Sequence, residues 1–178
     1  DKISLVGPRG IIRNPKQVIC GDSGIRINVN GEWYHQGSPI KRMNLVKLFA
    51  SILQRDDNGE YWLITPAEMA RIEVEDAPFL AVELIRSGKG PRQILSLRTN
   101  LDQIVTVDDN HPIRIDINHK TGEPAPYVIL EGSIEAKITR AIYYDLVSIS
   151  EKEDKGSQKL GVWSKKIFFP LGSLESDL

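Results

Sequence analysis

Alternating apolar and polar residues along the first half of the chain predict antiparallel β-strands. Residues 25–30 alternate strictly, as a half-buried strand does, and the Asn30-Gly31 pair favours a tight hairpin turn. Residues 32–35 then supply the returning strand. Residues 61–65 and 71–74 have the same strand character and flank another turn. We therefore expect a strand-rich N-terminal unit.

An amphipathic helix is predicted between these two pairs of strands. Ser38 is a favourable N-cap and Pro39 a favourable first helical residue. Apolar residues recur at helical spacing from 45 to 53, with polar residues on the opposite face. A turn-forming run follows, so we expect the helix to end near Arg55.

The second half of the chain repeats this order of features. Residues 113–118 alternate as 25–30 do, and an apolar helical face begins after Ser133 and extends to Ile149. Each copy contains an alternating strand, a returning strand, a Gly-Ser pair, a helix, a Trp-containing strand and a closing strand. This shared order indicates an internal duplication. Three additional strand-like runs precede the second copy, at 79–85, 92–97 and 104–107.

The pattern is that of an α+β protein, because strands dominate and the two predicted helices are far apart in sequence. We expect an internally duplicated two-domain core, strand-rich, with one long helix per half. The predicted organisation is an irregular segment at 1–24, an N-terminal α+β repeat at 25–78, a C-terminal α+β repeat at 79–172 and a tail at 173–178.

Composition excludes several functional classes. The 178 residues carry 23 Lys+Arg and 24 Asp+Glu, so the net charge of −1 does not suit a general binder of long nucleic acids. The single cysteine, Cys20, excludes a disulfide framework and a Cys-rich zinc site. No apolar run reaches the roughly 18 residues of a membrane helix, and the start has no export signal. We expect a cytoplasmic protein without a membrane partner.

No enzyme signature is found, so catalysis is uncertain and not favoured. The segment 21–24 resembles the nucleophile motif of serine proteases, but every histidine follows it and the chain is too short for that fold. The segment 87–90 resembles a phosphate loop but lacks the upstream Gly and the Ser/Thr that such a loop needs. The three histidines are not spaced as ligands on one element, so we expect no metal and no cofactor.

Positive charge is concentrated in two stretches without acidic residues, 33–55 and 84–101. The basic residues there are Lys41, Arg42, Lys47, Arg55, Arg86, Lys89, Arg92 and Arg98. Lys41 and Arg42 fall in the first turn of the predicted helix, where the macrodipole disfavours cations unless an anion binds there. A solvated basic turn is the alternative. On the second predicted helix, Lys137, Arg140, Tyr144 and Ser148 form a polar stripe that suits either a nucleotide or an ordinary surface.

Several longer motifs resemble a bacterial family known as domain of unknown function 1285. They occupy 33–42, 48–51, 74–79, 99–100, 111–114, 121–124, 161–164 and 168–172. The resemblance covers residues 24–172. It implies a duplicated core whose C-terminal half is pleckstrin-homology-like, a nucleotide-like ligand between the halves and a possible role in signal transduction. No activity is established for the family.

Carried onto this sequence, the family motifs imply seven ligand-binding residues, to which the stripe argument adds Arg140. The seven are His35, Arg42, Glu75, Asp76, Asn100, His111 and Arg114. Arg42 and Arg114 would pair with phosphate or another anion, whereas the amide and the carboxylates would bind a base or ribose. Glu75 or Asp76 could equally hold the halves together through an Arg.

Three functions remain open from the sequence. The leading hypothesis is a protein that binds a small anionic or nucleotide-like ligand. The second is an adaptor for a protein partner, which would bind at an open strand edge. The third is a hydrolase that uses His35 or His111 with a carboxylate, which requires such a pair within about 3 Å.

Overall fold

The computed structural model describes residues 7–173, which divide into two compact units. The N-terminal half comprises residues 7–78 together with Gly132–Ile134, and the C-terminal half comprises Phe79–Glu131 and residues 135–173. Within the described residues, neither helix has the length and apolar character needed to cross a membrane.

The N-terminal half is a single six-stranded sheet with one helix. Its elements are β1 (Val18–Ile27), β2 (Trp33–His35), β3 (Ser38–Pro39), α1 (Met43–Ser51), β4 (Leu53–Arg55), β5 (Tyr61–Ile64) and β6 (Glu68–Val74). The strand order is β3-β2-β1-β6-β5-β4. The central pair β1–β6 is parallel, and all the other pairs are antiparallel. Two antiparallel meanders are therefore joined at the middle of the sheet.

Two predictions for this half were wrong in their boundaries. β1 begins at Val18, so residues 18–24 are strand and not irregular. Ser38 and Pro39 do not start the helix but form β3, because Gln36 and Gly37 both have positive φ, at 48° and 81°, and close a two-residue hairpin.

The helix of this half is consequently shorter than expected. It begins at Met43 with Arg42 as its N-cap and ends at Ser51, because Leu53 already belongs to β4. Lys41 and Arg42 therefore precede the first turn of α1 rather than forming it.

The C-terminal half has nine strands among the residues described. Its elements are β7 (Phe79–Ser87), β8 (Ile94–Thr99), β9 (Ile104–Thr106), β10 (Ile113–Ile117), β11 (Pro124–Ile129), β12 (Glu135–Ile138), α2 (Arg140–Ser148), β13 (Glu151–Lys152), β14 (Lys159–Ser164) and β15 (Ile167–Ser173). A six-stranded sheet has the order β10-β11-β12-β7-β8-β9, and β13-β14-β15 form a three-stranded sheet. Again the central pair of the larger sheet, β12–β7, is parallel.

The second helix also differs from the prediction. Residues 135–138 form β12, in which Ala136 and Ile138 are buried with the two-residue period of a strand. The helix starts only at Arg140. Lys137 therefore lies on a strand, and the predicted helical stripe that began with it was wrong.

The internal duplication is confirmed at the level of element order. Three strands, one helix and three strands succeed one another as β1–β3, α1, β4–β6 and again as β10–β12, α2, β13–β15. Both helices have nine residues, and each ends with a serine hydroxyl that donates to the carbonyl three residues earlier, from Ser51 to Leu48 and from Ser148 to Asp145, both at 2.6 Å. β7–β9 are the additional strands expected in the second half. The pleckstrin-homology-like character of that half stays a prediction.

Each half has its own apolar core beneath its sheet. In the N-terminal half, Ile27, Trp33 and Met69 are buried, and Val46 and Ala50 of α1 are buried as well. In the C-terminal half the fully buried positions include Phe79, Leu95, Leu97, Val128 and Leu146. The apolar residues of each amphipathic element thus fix which of its faces carries the polar groups.

Candidate functional site

A row of three side chains crosses one face of β10, β11 and β12. Arg114 pairs with Tyr127 on the next strand, and Tyr127 pairs with Lys137 on the strand beyond it. The Arg114 guanidinium carbon lies 4.6 Å from the centre of the Tyr127 ring, and Lys137 Nζ lies 5.9 Å from it. Both cations are therefore placed for attraction to the electron-rich ring.

Carboxylates neutralise part of this row. Arg114 donates to both oxygens of Glu135 at 3.0 Å and to Asp116 at 3.4 Å. The Glu135 side chain is only 13% exposed, whereas that of Arg114 is 42% exposed. A single guanidinium nitrogen, Nη2, donates to both oxygens of Glu135, so the pair is a charge-assisted hydrogen bond. Arg114 thus forms an ion pair with a largely buried carboxylate.

A cavity of about 200 Å³ opens beside the same face, at the N-terminal end of α2. The polar side chains that line it are Asn118, Glu123, Lys137, Arg140, Tyr143 and Tyr144. Asn118 follows β10, whereas Glu123 immediately precedes β11. Three strands and a helix terminus therefore contribute to one concave site.

The first turn of α2 adds positive potential to this cavity. Thr139, the N-cap residue, makes no capping hydrogen bond with its side chain, and the first turn contains no acidic residue. The first N–H groups of a helix have no partner within the helix and carry the positive end of its dipole. Arg140 stands in this turn, and its guanidinium lies 3.2 Å from a carboxylate oxygen of Glu123.

Two neighbouring tyrosines supply the aromatic part of the cavity. The rings of Tyr143 and Tyr144 have centroids 6.3 Å apart and are tilted by 46°. The hydroxyl of Tyr143 donates to the Leu171 carbonyl at 3.5 Å. Burial, with a smaller contribution from Tyr144, raises the pKa of Tyr143. Tyr143 therefore remains a hydroxyl donor at neutral pH, and the exposed ring of Tyr144 is accessible to a ligand.

Asn100 and His111 have local structural partners instead. Asn100 binds the backbone of Leu80 twice. Asn100 Oδ1 accepts the Leu80 N–H at 3.1 Å, and the Asn100 backbone N–H donates to the Leu80 carbonyl at 2.9 Å. His111 Nδ1 lies 2.9 Å from Asp108 Oδ1. The same carboxylate oxygen accepts the backbone N–H groups of Asn110 and His111, each at 2.9 Å. The His–carboxylate pair that a hydrolase requires is present, but it closes a turn between β9 and β10.

Four predicted residues lie in the N-terminal half. Glu75 accepts from Arg26 and from the Val29 N–H, each at 3.0 Å, so it fastens the β1–β2 hairpin. His35 is exposed at the end of β2, and exposed Arg42 is the N-cap of α1. Asp76 is half-buried after β6.

The structure therefore brings together only part of the predicted set. Arg114 shares a sheet face with Lys137, which lines the cavity together with Arg140. His111 lies near the opposite end of β10 from Asn118, roughly 20 Å away at the rise of an extended strand. A site shared by the two halves stays a prediction.

Three polar residues of the cavity, Asn118, Glu123 and Tyr143, were not predicted from the sequence. The alternation of side chains along a strand could have indicated Asn118 and Glu123. Position 118 lies on the same strand face as 114, and position 123 lies on the same strand face as 127. The described residues contain no group of three or more His, Cys, Asp or Glu that could hold a metal ion.

Comparison with known proteins assigns both halves to one family. The model of the DUF1285 N-terminal domain matches residues 13–77, and that of the DUF1285 C-terminal domain matches residues 78–171; both are described as of unknown function. The chain belongs to the DUF1285 family. The resemblance seen in the sequence motifs is thereby confirmed. A search among curated proteins found no match.

Two solved structures are similar to this DUF1285 chain, and both come from bacteria. A DUF1285 family protein from Silicibacter pomeroyi DSS-3 is 38% identical with a TM-score of 0.83, covering 95% of this chain and 90% of that one. A DUF1285 family protein from Shewanella baltica OS155 is 32% identical with a TM-score of 0.55, covering 71% of this chain and 91% of that one.

Proposed function

We propose that the C-terminal half binds a small anionic ligand of the nucleotide type in the cavity beside α2. The observation that carries this proposal is that Lys137 and Arg140 line the same cavity as Tyr143 and Tyr144. Cations suit a phosphate, and an accessible aromatic ring suits a base. Ligand binding of this kind would fit a role in signal transduction.

The location of the cations supports a phosphate in particular. Arg140 is in the first turn of α2, and no acidic residue there occupies the positive end of the helix. Helix N-termini bind phosphate through free N–H groups and the helix dipole. A ligand phosphate would compete with Glu123 for Arg140. Glu123 would then act as an internal competitor that limits affinity.

The size of the cavity limits the ligand. Its volume of about 200 Å³ is smaller than the roughly 300–1,000 Å³ typical of sites for drug-sized ligands. A mononucleotide with part of its surface in solvent suits this space better than a dinucleotide. Adenosine monophosphate is therefore the first probe, with adenosine and ribose 5-phosphate as its two fragments.

Calorimetric titration of the full chain with these three compounds tests the proposal. We expect adenosine monophosphate to bind more tightly than either fragment. Arg140→Gln should weaken its binding about tenfold or more, as loss of a charged hydrogen bond does. Glu123→Gln should strengthen it, because the competing carboxylate is removed. Lys155→Gln is the control, since it removes an exposed charge of the same half that does not line the cavity.

The contrast between Arg140→Gln and Lys155→Gln distinguishes this site from general charge attraction, which would respond equally to the loss of either positive charge. Tyr144→Leu should weaken adenosine monophosphate but not ribose 5-phosphate. No heat and no thermal shift with any of the three compounds at millimolar concentration would reject the proposal.

An open strand edge supports a second candidate function, that of an adaptor. β9 ends the six-stranded sheet, and Ile104 on it is 63% exposed. The Gln103 carbonyl and the Val107 N–H hydrogen-bond to the backbone of β8, so by alternation the N–H and C=O groups of Ile104 and Thr106 point away from that strand. An extended segment of a protein partner could add there as a further strand.

A comparison of two charged variants tests the adaptor function. Ile104→Lys should abolish capture of a partner, because charges on edge strands oppose strand addition. Ile117→Lys is the control, since Ile117 is 58% exposed on β10. A partner that both variants retain equally would exclude β9 as its binding edge.

A further inference from the structure

The hairpin between β7 and β8 presents three basic side chains. Ser87 and Ile94 are the last strand pair, and the connection between them contains a short 3₁₀ turn, Gly90–Arg92. Arg86, Lys89 and Arg92 are all exposed there. This is the second acid-free stretch of the sequence, for which the cavity beside α2 gives no role.

A second turn with two lysines comes from β14 and β15. Ser164 pairs directly with Ile167, so Lys165 and Lys166 alone form the loop, with φ values of 48° and 67°. Such a turn needs two left-handed residues, which is why Asn-Gly or Gly-Gly usually occupies it. Lysine at both positions is conformationally unfavourable. The lysines are therefore not explained by the needs of the backbone.

Gln93 joins the two turns. It is buried, its carbonyl accepts the Lys165 N–H at 3.0 Å, and its side-chain amide donates to the Trp163 carbonyl at 2.9 Å. Its Oε1 accepts from Arg86 Nε at 2.5 Å. Leu95, two residues later, donates its N–H to the Ser164 hydroxyl at 3.0 Å. The two turns are thus held side by side by hydrogen bonds.

Together the two turns form a surface of five cations, which we call the basic turn surface: Arg86, Lys89, Arg92, Lys165 and Lys166. Within residues 7–173, none of the five forms an ion pair with a carboxylate. Arg98, in the same acid-free stretch, is by contrast paired with both Glu83 and Asp102. Exposed cations on two adjoining turns without counter-charges favour an external anion.

We propose that the basic turn surface binds clustered phosphate groups. Five cations exceed what a single carboxylate or phosphate can neutralise, so the ligand must present several negative charges close together. The Arg guanidinium groups match phosphate geometry, and the Lys ammonium groups act as point charges. Such phosphates belong either to a free polyphosphorylated molecule or to the headgroups of an anionic lipid surface. This site shares no residue with the cavity beside α2.

The decisive variant should keep the fold while removing the charge. Lys165→Asn combined with Lys166→Gly installs the residues that this turn prefers, so thermal unfolding should occur at the same or a higher temperature. The control is Lys152→Gln combined with Lys155→Gln. This control removes the same number of positive charges from the same half. Lys152 pairs with Leu160 near the start of β14, whereas the Lys165-Lys166 turn follows the end of β14.

Two probes distinguish the sources of phosphate. Tripolyphosphate is titrated calorimetrically, with citrate as a carboxylate control, and sedimentation is measured with phosphatidylglycerol and phosphatidylcholine vesicles. We expect one of the phosphate probes to bind, its affinity to fall with salt, and the Lys165/Lys166 variant to weaken it at least tenfold. Binding of tripolyphosphate supports a free ligand, whereas binding of phosphatidylglycerol vesicles alone supports a headgroup.

The proposal is overturned if both double variants bind equally, if citrate binds as well as tripolyphosphate, or if neither phosphate probe binds. Binding of a 20-base-pair DNA duplex without either phosphate probe would also overturn it, in favour of a nucleic-acid surface. Tripolyphosphate bound in the cavity beside α2 would be lost in Arg140→Gln and kept in the Lys165/Lys166 variant, whereas tripolyphosphate bound at the basic turn surface would respond in the opposite way. The basic turn surface can therefore fail or succeed independently of the nucleotide site.

Discussion

The guanidinium carbon of Arg114 lies 4.6 Å from the centre of the Tyr127 ring, directly across two paired strands. Arg26 and Tyr34 repeat this relationship in the N-terminal half at 5.3 Å, again as direct cross-strand partners. Each arginine stands between two isoleucines and also binds a glutamate. The pair therefore belongs to the duplicated scaffold. This origin favours a structural role for Arg114 and assigns the proposed anion binding chiefly to Lys137 and Arg140.

Arg114→Ala should destabilise the protein more than Arg26→Ala. Arg114 Nη2 donates to both oxygens of Glu135, whose side chain is 13% exposed, whereas the Glu75 partner of Arg26 is 36% exposed. We expect the free energy of unfolding to fall by about 2 kcal/mol for Arg114→Ala, as for loss of a charged hydrogen-bonded partner. The exposed pair should contribute less than about 1 kcal/mol. Urea unfolding of both variants measures the difference.

Equal losses for the two variants would contradict the argument from burial. Arg114→Lys is the companion variant, because it keeps the charge but replaces the two guanidinium nitrogens, which bind Glu135 and Asp116, with one ammonium group. Its stability should lie between those of the wild type and Arg114→Ala.

Strands that depend on local pattern were predictable from the sequence, whereas the turns that decide element boundaries were not. The returning strand at Trp33–His35 follows from alternation and the preceding Asn-Gly pair. The hairpin after it depends on Gln36 in the left-handed region, which no residue preference signals. Ser38 and Pro39 were therefore assigned to a helix start that fits them equally well.

The candidate site was less predictable because it depends on pairing between distant strands. Helical spacing predicts that Lys137 and Arg140 lie on one face of a helix. They line the same cavity for a different reason, which is that β12 leads directly into α2. Asn118 and Glu123 reach the same cavity only because β10 and β11 pair with β12. Local pattern cannot specify such a register, which is set by packing of the whole sheet.

Asp56→Ala should be among the most damaging polar substitutions in the N-terminal half. Asp56 is 6% exposed, and its carboxylate accepts the indole N–H of Trp62 at 3.0 Å and the N–H groups of Asn58 and Glu60, each at 2.9 Å. Removing it leaves a buried indole donor without its acceptor. We expect a loss of about 3 kcal/mol in the free energy of unfolding, measured in urea. The neighbouring exposed Asp57→Ala should change it by less than about 0.5 kcal/mol.

Stability should decrease in acid as Asp56 and Asp108 become protonated. Burial alone would raise the pKa of each, but hydrogen bonds outweigh it and hold both pKa values below the ordinary value. For Asp108 these bonds come from the His111 ring and from backbone N–H groups. As pH falls, the unfolded chain therefore takes up these protons before the folded chain does. Above the ordinary pKa of about 4, both carboxylates contribute their full stabilisation to the folded state.

Below that pH the stabilisation is lost as pH falls through the lowered pKa values. Unfolding free energies measured from pH 6 down to pH 2.5 should therefore fall, and Asp56→Asn should have a shallower slope than the wild type. A variant with an unchanged acid slope would exclude Asp56 as a source of the pH dependence. Asp57→Asn provides the matched control.

Gly161→Ala should disrupt the β14–β15 hairpin although its backbone is in no left-handed conformation. A Cβ at Gly161 would overlap the carbonyl oxygen of Phe169 and lie 2.7 Å from the ring of Phe168, and neither the strand nor the packed ring can withdraw freely. We expect a loss of about 3 kcal/mol or more, at the upper end of overpacking costs. Gly172→Ala, where nothing lies within 4 Å of the added carbon, should be close to neutral. The two glycines belong to neighbouring residue pairs of the same hairpin, Leu160–Gly172 and Gly161–Pro170. A similar loss of stability for both variants would show that the flexibility of glycine, and not the close approach at Gly161, explains the loss.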